Sequence, residues 1–151
     1  GYINLCVQDT ATSDTKSIEN EDVADEETQA VMSLSDEQLN LLSKLVAAEA
    51  RGESYEGQVA VAAVVLNRVK DSRFPDSIEG VIYQKNAFSV VRDGYINAQP
   101  TEESYKAAKD ALYGNDPTND AIYFWNPDIS TCNWINTLNP HLRIGNHVFA
   151  R

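Results

Sequence analysis

The stretch VAVAAVVL at residues 59–66 is the feature that most limits how this chain can fold. It lies within a segment that reads as a helix from about Tyr55 to Val69. That helix is apolar around most of its circumference, which is the pattern of a helix buried on nearly all sides. The alanines in the stretch let neighbouring helices approach closely. The sequence therefore predicts a helix that the rest of the domain surrounds.

Capping and turn signals predict further elements on both sides of this helix. Ser35 and Gln38 form a capping box, and Asp36 and Glu37 favour the positive end of the helix dipole. The predicted elements are a helix from Ser35 to about Arg51 that stops at Gly52, a short helix over 78–83, a helix from Thr101 to Gly114, a strand over 121–125, and a hairpin of 142–144 with 147–149 around Gly145-Asn146. Helices dominate and a little sheet comes late, so the predicted fold class is α+β, mainly α.

Negative charge is concentrated at the start of the chain. The net charge is −11, and residues 1–40 carry ten acidic residues against one basic residue, a net −9. From Asp9 to Ala30 there is no aromatic residue and no hydrophobic period. Such a segment cannot bury enough apolar surface to offset its ordering entropy. We predict an acidic flexible segment over residues 1–32 and one globular domain over 33–151, which suits a chain of 151 residues.

The same composition narrows the classes of partner. An acidic surface repels phosphate backbones, which argues against nucleic acid as a partner. No apolar run approaches the ~20 residues of a membrane-spanning helix, so no membrane span is predicted. The chain begins with Gly1 rather than Met, and we expect that a signal sequence was removed ahead of it. We also expect a monomer.

Cysteine and histidine usage argues against a metal or redox centre. The two cysteines, Cys6 and Cys132, could pair with each other, and two free thiols are an equally good interpretation. His141 and His147 lie six residues apart rather than in a tight cluster of zinc ligands, so structural or surface roles are favoured. The sequence contains no phosphate-binding glycine loop, G-x-S-x-G, CxxC or HExxH motif. We predict no cofactor and no metal.

One carboxyl group falls in an apolar stripe. At 100° per residue along the first helix, Glu49 projects between Leu42 and Leu45. Desolvation there disfavours the charged form and raises the pKa, as a general acid near neutral pH requires. Two other interpretations stay open: Glu49 sits at the helix end with no further role, or it is buried and paired with an arginine. The candidate arginines are Arg51, Arg68 and Arg73.

Aromatic and amide side chains cluster late in the chain. Aromatic faces combined with amide donors and acceptors suit a neutral ring-shaped ligand such as a sugar, although the same residues could simply fill a small core and its turns. The cluster consists of Tyr83, Phe88, Tyr95, Tyr113, Tyr123, Phe124, Trp125, Asn126, Asn133, Trp134 and Asn136.

Several separated motifs resemble one known family. They are AAEARGESYEGQVAVAAVVLNRV (47–69), FPDSIEGVIYQ (74–84), AFSVV (87–91), AIYFWNP (121–127) and IGNHVFAR (144–151), and they occur in the expected order over about residues 36–151. Together they resemble the spore cortex-lytic and cell-wall hydrolase family of the SleB/CwlJ type. This resemblance implies a lysozyme-like fold of the goose-lysozyme or lytic-transglycosylase type. It also implies action outside the cytoplasm, on the peptidoglycan glycan strand of the cell wall or spore cortex.

The resemblance also implies roles for individual residues. The catalytic glutamate of the AAEARGE motif falls on Glu49, the residue that the apolar stripe indicates independently. Phe88 and Ser89 fall on the expected floor of a sugar-binding groove, and the tyrosine-rich segment falls on Tyr123 to Asn126. We add Trp134 to the predicted substrate-binding residues. Where relatives tend to carry consecutive tyrosines, this chain has Phe124 and Trp125.

Three functional hypotheses follow from these residues. The first is a lytic transglycosylase that cleaves the β-1,4 bond between N-acetylmuramic acid and N-acetylglucosamine with Glu49 as acid and then base. The second is a hydrolytic muramidase, which needs a second carboxylate. Glu53 and Glu56 are the nearest candidates, although solvated loop or helix-start roles are expected for both. The third is a catalytically inert module that binds peptidoglycan.

Overall fold

The computed structural model describes residues 29–151. Within this range a bundle of helices carries one small sheet near its C-terminal end. The elements are α1 (Asp36–Glu49), α2 (Tyr55–Lys70), α3 (Ile78–Ile82), α4 (Ser89–Arg92), α5 (Glu102–Leu112), β1 (Tyr123–Trp125), β2 (Leu142–Ile144) and β3 (His147–Ala150). Short 3-10 turns lie at Tyr95–Asn97 and Ile135–Thr137.

Helix α2 is the centre of the domain, as its sequence predicts. Every residue from Gly57 to Arg68 is buried, and α2 packs against α1, α3, α5 and the sheet. Ser54 caps the helix by accepting a hydrogen bond from the backbone N–H of Gly57 at 3.1 Å. Burial on all sides therefore follows from the uniformly apolar run.

Helix α1 begins as predicted but ends earlier. The capping box is present: the Gln38 N–H donates to Ser35 Oγ at 3.0 Å, and the Ser35 N–H donates to Gln38 Oε1 at 2.9 Å. The helix ends at Glu49 rather than at about Arg51, because the backbone turns ahead of Gly52, which has a φ of 79°. Glu49 is consequently the last helical residue, at the exit of the chain from α1.

The sheet has three antiparallel strands in the order β1-β3-β2. Phe124 of β1 lies opposite Phe149 of β3, and Ile144 of β2 lies opposite His147 across the Gly145-Asn146 turn. The predicted hairpin and strand are confirmed, with β1 starting two residues later than expected. The sequence did not predict α4 or the two 3-10 turns, since segments this short carry little periodic signal.

Two observations bear on the N-terminal segment and the cysteines. The Val31 N–H donates to the carbonyl oxygen of Leu112 at 2.8 Å, and Met32 packs against the core. Cys132 is disulfide-bonded, so a free thiol is the wrong interpretation for this residue. Cys6 and most of the predicted acidic segment lie outside the described residues, and the division at residue 32 stays a prediction.

Candidate active site

Glu49 is completely buried at the C-terminal end of α1, with 0% of its surface exposed. It shares its face of the helix with Leu42, Leu45 and Val46, which are also at 0%. The side chain thus lies in the apolar stripe in which the helical period placed it. Burial of this kind disfavours the ionised carboxylate.

Arg68 is the charged group that faces this region from α2. It is fully buried, and its Nε donates to the carbonyl oxygen of Ile122 at 2.7 Å. Burial lowers the pKa of the guanidinium to about 10, while the charges of Tyr123 and Glu49 oppose that shift. Arg68 and Glu49 therefore lie within electrostatic range of each other.

Among the three arginines proposed as partners of Glu49, the structure favours Arg68. Arg51 is exposed, and Arg73 forms an ion pair with Asp71 in which Nε and Oδ1 are 2.9 Å apart. Only Arg68 combines complete burial with an electrostatic interaction with Glu49 among these three. Glu49 thus has an apolar setting, which disfavours its charged form, and a buried arginine neighbour, which favours that form.

An aromatic cage surrounds the Arg68 guanidinium. Its central carbon lies 4.9 Å from the ring centroid of Phe74, 5.4 Å from that of Phe88 and 5.7 Å from that of Tyr123. Trp134 extends the cluster toward solvent, since its ring meets Tyr123 edge-on at 5.4 Å and 37% of the residue is exposed. Three of the predicted substrate-binding residues are therefore brought into one cluster: Phe88 and Tyr123 contact Arg68, and Trp134 contacts Tyr123.

The Tyr123 hydroxyl remains neutral over the physiological range. Burial raises its pKa, and the positive charges of Arg73 and Arg68 only partly oppose this. A neutral phenol can both donate and accept a hydrogen bond.

The remaining two predicted binding residues lie at the ends of short elements of the same domain. Ser89 is the first residue of α4, directly after Phe88 of the cage, and is 8% exposed. Asn126 directly follows β1, three residues after Tyr123, and is also 8% exposed. Its Oδ1 accepts a hydrogen bond from the Asp128 N–H at 2.9 Å, which leaves its amide nitrogen as the donor that could meet a ligand.

Glu53 does not have the solvated loop role expected from the sequence. It is only 4% exposed, because its carboxylate reaches the β2–β3 turn. The backbone N–H of Asn146 donates to Glu53 Oε1 at 3.3 Å, and Asn146 Nδ2 donates to Oε2 at 3.1 Å. Glu56, by contrast, is exposed in the first turn of α2, as expected for a helix-start residue.

His147 is buried rather than placed at the surface. It is 0% exposed at the start of β3, and neither ring nitrogen has a hydrogen-bond partner among the described residues. Its ring meets Phe124 edge-on with centroids 5.0 Å apart. Burial lowers the pKa of the imidazole, which the charge of Glu53 opposes and that of Arg143 reinforces.

Glu49 lines neither of two cavities that described residues form. One, of about 170 Å³, is lined by Asn67, Arg73 and Arg151, among others, and the second, of about 150 Å³, also reaches Asn67. Asn67 itself serves the fold, because its Nδ2 donates to the carbonyl oxygen of Ala121 at 2.9 Å. Neither cavity is lined by the residues predicted to bind sugar.

Metal-binding groups and membrane-spanning helices are both absent from residues 29–151. In that part of the chain no group of three His, Cys, Asp or Glu side chains could hold a metal ion. His141 instead places Nε2 2.8 Å from the carbonyl oxygen of Thr118. No helix within the same range is long and apolar enough to cross a membrane.

Sequence reasoning missed the two polar features that organise this region. It named Arg68 as a candidate partner of Glu49 but did not predict the bond to Ile122 or the aromatic cage. It also missed the contact between Glu53 and Asn146. Two signals were available in the sequence. One is the charged Arg68 inside the apolar run of α2, and the other is the Gly145-Asn146 turn, where a glycine lets another part of the chain approach closely.

The chain belongs to the Cell Wall Hydrolase family, whose profile matches residues 52–150. That match includes Glu53, the cage residues and the hairpin, and it begins three positions after Glu49. The family assignment agrees with the resemblance carried by the sequence motifs.

Individual relatives make the assignment more specific. The chain is 48% identical over 116 residues to a spore cortex-lytic enzyme of Bacillus subtilis, covering 77% of this chain and 38% of that protein. It is 46% identical over 113 residues to a spore cortex-lytic enzyme of Oceanobacillus iheyensis, covering 75% of this chain and 41% of the relative. The chain thus spans about two fifths of the length of these curated relatives.

Two solved structures share the fold. The catalytic domain of the Bacillus cereus SleB protein matches with a TM-score of 0.75 and 45% identity, over 79% of this chain and 93% of that one. The catalytic domain of the germination-specific lytic transglycosylase SleB from Bacillus anthracis matches with the same TM-score and identity, over 78% and 97%. The predicted lysozyme-like fold, α+β and mainly α, is confirmed.

Proposed function

We propose that this chain carries a peptidoglycan-cleaving domain of the spore cortex-lytic type, comprising residues 33–151. It cleaves the β-1,4 bond between N-acetylmuramic acid and N-acetylglucosamine as a lytic transglycosylase. The observation that carries the proposal is the complete burial of Glu49 in the apolar stripe of α1. Burying a carboxyl group among apolar side chains destabilises a fold, so its presence there indicates a functional role. Proton donation near neutral pH is the role that burial favours.

The first step uses Glu49 as a general acid. The protonated carboxyl group donates its proton to the glycosidic oxygen, the bond from that oxygen to C1 of the muramic acid breaks, and the glucosamine leaves with a free hydroxyl. The carboxylate that results is less costly in this apolar setting because the buried Arg68 guanidinium lies within electrostatic range. Arg68 therefore supports the ionised state through which the reaction passes.

The second step uses the same carboxylate as a base. It takes the proton from the O6 hydroxyl of the muramic acid, whose oxygen forms a bond to C1 of its own ring. This leaves a 1,6-anhydro end and restores the proton on Glu49. Because the nucleophile is tethered to the reacting ring, effective concentration replaces an activated water molecule.

The surroundings of the other nearby carboxylates support a route with one acid. A hydrolytic muramidase needs a second carboxylate that faces the substrate. Glu53 is buried and accepts two hydrogen bonds from Asn146, and Glu56 is exposed at the start of α2. The Bacillus anthracis relative, which is 45% identical, is a germination-specific lytic transglycosylase, and this supports the same route.

Sugar binding is proposed for the aromatic and polar residues described above. Trp134 offers a partly exposed ring, Tyr123 a neutral hydroxyl and Asn126 an amide donor, while Phe88 and Ser89 form the floor. Aromatic faces with a few oriented polar groups suit a polar ring-shaped ligand. We propose action outside the cytoplasm, at the spore cortex or cell wall, because the curated relatives are named spore cortex-lytic enzymes.

Mass spectrometry of digested spore cortex peptidoglycan tests the reaction. We expect muropeptides with 1,6-anhydro-muramic ends, and products that carry an added water at C1 would identify a muramidase instead. Glu49→Gln should reduce cleavage by about 10²- to 10⁴-fold, in line with loss of a general acid, while cortex binding persists. Glu56→Gln is the matched control and should cleave normally.

The same experiment separates the enzyme from an inert binding module. A parent protein that sediments with cortex but releases no muropeptide would be a binder, and Glu49→Gln would then change nothing measurable. Parallel digestion of vegetative peptidoglycan identifies the preferred wall, and light scattering of the purified protein without peptidoglycan tests the expected monomer.

A further inference from the structure

Glu53 joins two elements that carry different parts of the candidate site. Its carboxylate accepts from the backbone N–H of Asn146 at 3.3 Å and from the Asn146 side chain at 3.1 Å. Its own backbone N–H donates to the carbonyl oxygen of Ala50 at 2.9 Å, one residue after Glu49. We call this set of contacts between Glu53 and Asn146 the latch.

One side of the latch is fixed to the proposed acid. Glu53 follows Glu49 by four residues, through a turn that includes Gly52 at a φ of 79°. Its carbonyl oxygen accepts a hydrogen bond from Gln58 Nε2 of α2 at 3.4 Å. The turn after α1 is thereby held from the backbone of Glu53 as well as from its side chain.

The other side of the latch is fixed to the sheet. Asn146 lies in the turn between β2 and β3, and Val148 to Ala150 of β3 pair with β1. Strand β1 starts with Tyr123, and Asn126 directly follows it. A displacement of the β2–β3 turn therefore moves the strand that neighbours the proposed sugar-binding residues.

Gly145 is the position at which the absence of a side chain lets the Glu53 carboxylate approach the β2–β3 turn. Gly145 has a φ of 59°, and a Cβ atom built on it would overlap Glu53 Oε1. Glycine is favoured there for two reasons, the left-handed backbone and the approach of the carboxylate. An added Cβ at residue 145 would therefore displace the Glu53 carboxylate from its present position.

We propose that Glu53 is a positioning residue for the reaction, which sets the distance between Glu49 and the sheet that carries Tyr123. The inference rests on the proposed function and adds a role that is distinct from a second catalytic carboxylate. Glu53 acts through hydrogen-bond geometry and not through its charge. A misplacement of about 1 Å between an acid and its substrate can cost about 10²-fold in rate.

A swap of the carboxylate and the amide tests this distinction. In Glu53→Gln combined with Asn146→Asp, the glutamine oxygen accepts the backbone N–H of residue 146 and its amide nitrogen donates to the aspartate. Both hydrogen bonds of the latch are kept while the negative charge moves to the other side. Asn146→Asp alone sets two carboxylates against each other, and Glu53→Ala removes the latch.

The test compares the kcat values of the variants with that of the parent, measured by muropeptide release. Glu53→Ala and Asn146→Asp should each lower kcat by about 10- to 100-fold, with a smaller change in KM, and the double variant should recover to within about threefold of the parent. Glu56→Gln is the matched control. Circular dichroism at the assay temperature confirms that each variant is folded, so a loss of kcat in folded protein reports positioning.

Three outcomes would overturn the inference while the proposed function stands. Glu53→Ala with a kcat equal to the parent would mean that the latch is irrelevant to the reaction. A double variant as inactive as Glu49→Gln would mean that Glu53 acts by its charge, as a second carboxylate. Variants that lose activity only in proportion to unfolded protein would show a purely structural contact. A parent that releases no muropeptides at all overturns the proposed function itself, and this inference with it.

Discussion

Replacement of Gly145 by alanine gives the sharpest physical test of the structure. The added Cβ would overlap Glu53 Oε1, and the backbone at this residue has a φ of 59°. An alanine in the left-handed region costs about 1 kcal/mol. Opening the latch removes hydrogen bonds to a buried carboxylate, which we put at about 2 to 3 kcal/mol in total.

The expected cost of Gly145→Ala is therefore about 3 to 4 kcal/mol in the free energy of unfolding. For a domain of this size that corresponds to a fall in Tm of roughly 12 °C. Urea unfolding followed by circular dichroism measures the free energy, and a thermal scan measures Tm. An unchanged m-value would show that the native and unfolded ensembles remain comparable.

Gly94 supplies the matched control for this substitution. It has a φ of 85°, and a Cβ atom there would meet nothing within 4 Å, so Gly94→Ala should cost only about 1 kcal/mol. In a Glu53→Ala background, Gly145→Ala should also cost only about 1 kcal/mol, which gives a coupling energy of about 2 to 3 kcal/mol. If Gly145→Ala costs no more than Gly94→Ala, or the coupling is zero, the argument for a tight latch is refuted.

Three further substitutions have defined outcomes. His147→Phe should flatten the pH dependence of stability. Burial lowers the folded-state pKa of the imidazole, so below about pH 6.5 the unfolded chain binds the extra proton and the parent loses up to about 2 kcal/mol by pH 5. Urea midpoints at pH 7 and 5 check this, and an equal change in midpoint for both proteins would contradict it. Arg68→Ala should destabilise the fold by about 3 kcal/mol or more, because it empties the aromatic cage and leaves the Ile122 carbonyl without its donor. Arg73→Ala, at an exposed ion pair, should cost less than about 1 kcal/mol. Urea unfolding of both variants measures the difference, and similar costs would contradict the prediction. Trp134→Ala should weaken sedimentation with cortex peptidoglycan while Tm stays within a few degrees. Tyr105→Ala, which removes a ring on α5 that is 40% exposed and is not among the predicted sugar-binding residues, is the control, and equal binding by both variants would argue against a sugar contact at Trp134.

The helices could be predicted because their signals are local. The capping box at Ser35 and the uniformly apolar run of α2 are contained in a few consecutive residues, and the structure shows both as expected. The hairpin around Gly145-Asn146 was equally readable, because a two-residue turn has its own sequence preference. The end of α1 was misjudged by two residues, since a helix terminus depends on where the chain must turn next.

The sequence could identify a site residue only where its polarity differs from that of the residues around it. Glu49 stands out because a carboxyl group occupies a position of the apolar stripe, and its burial in the structure follows from that period. Phe88, Tyr123 and Trp134 were identified as aromatic residues, but nothing in their spacing indicated that the first two surround one guanidinium. Their roles in binding sugar stay predictions.

The sequence by itself determined the elements, the buried central helix and the carboxyl group inside the apolar stripe at position 49. Each of these depends on residues within one or two helical turns, where the backbone geometry fixes which side chains share a face. Only the tertiary structure decided that Arg68 lies in an aromatic cage and that Glu53 reaches Asn146, 93 residues further along the chain. Such contacts join segments that are distant in sequence, and their geometry arises from how the helices and the sheet pack together.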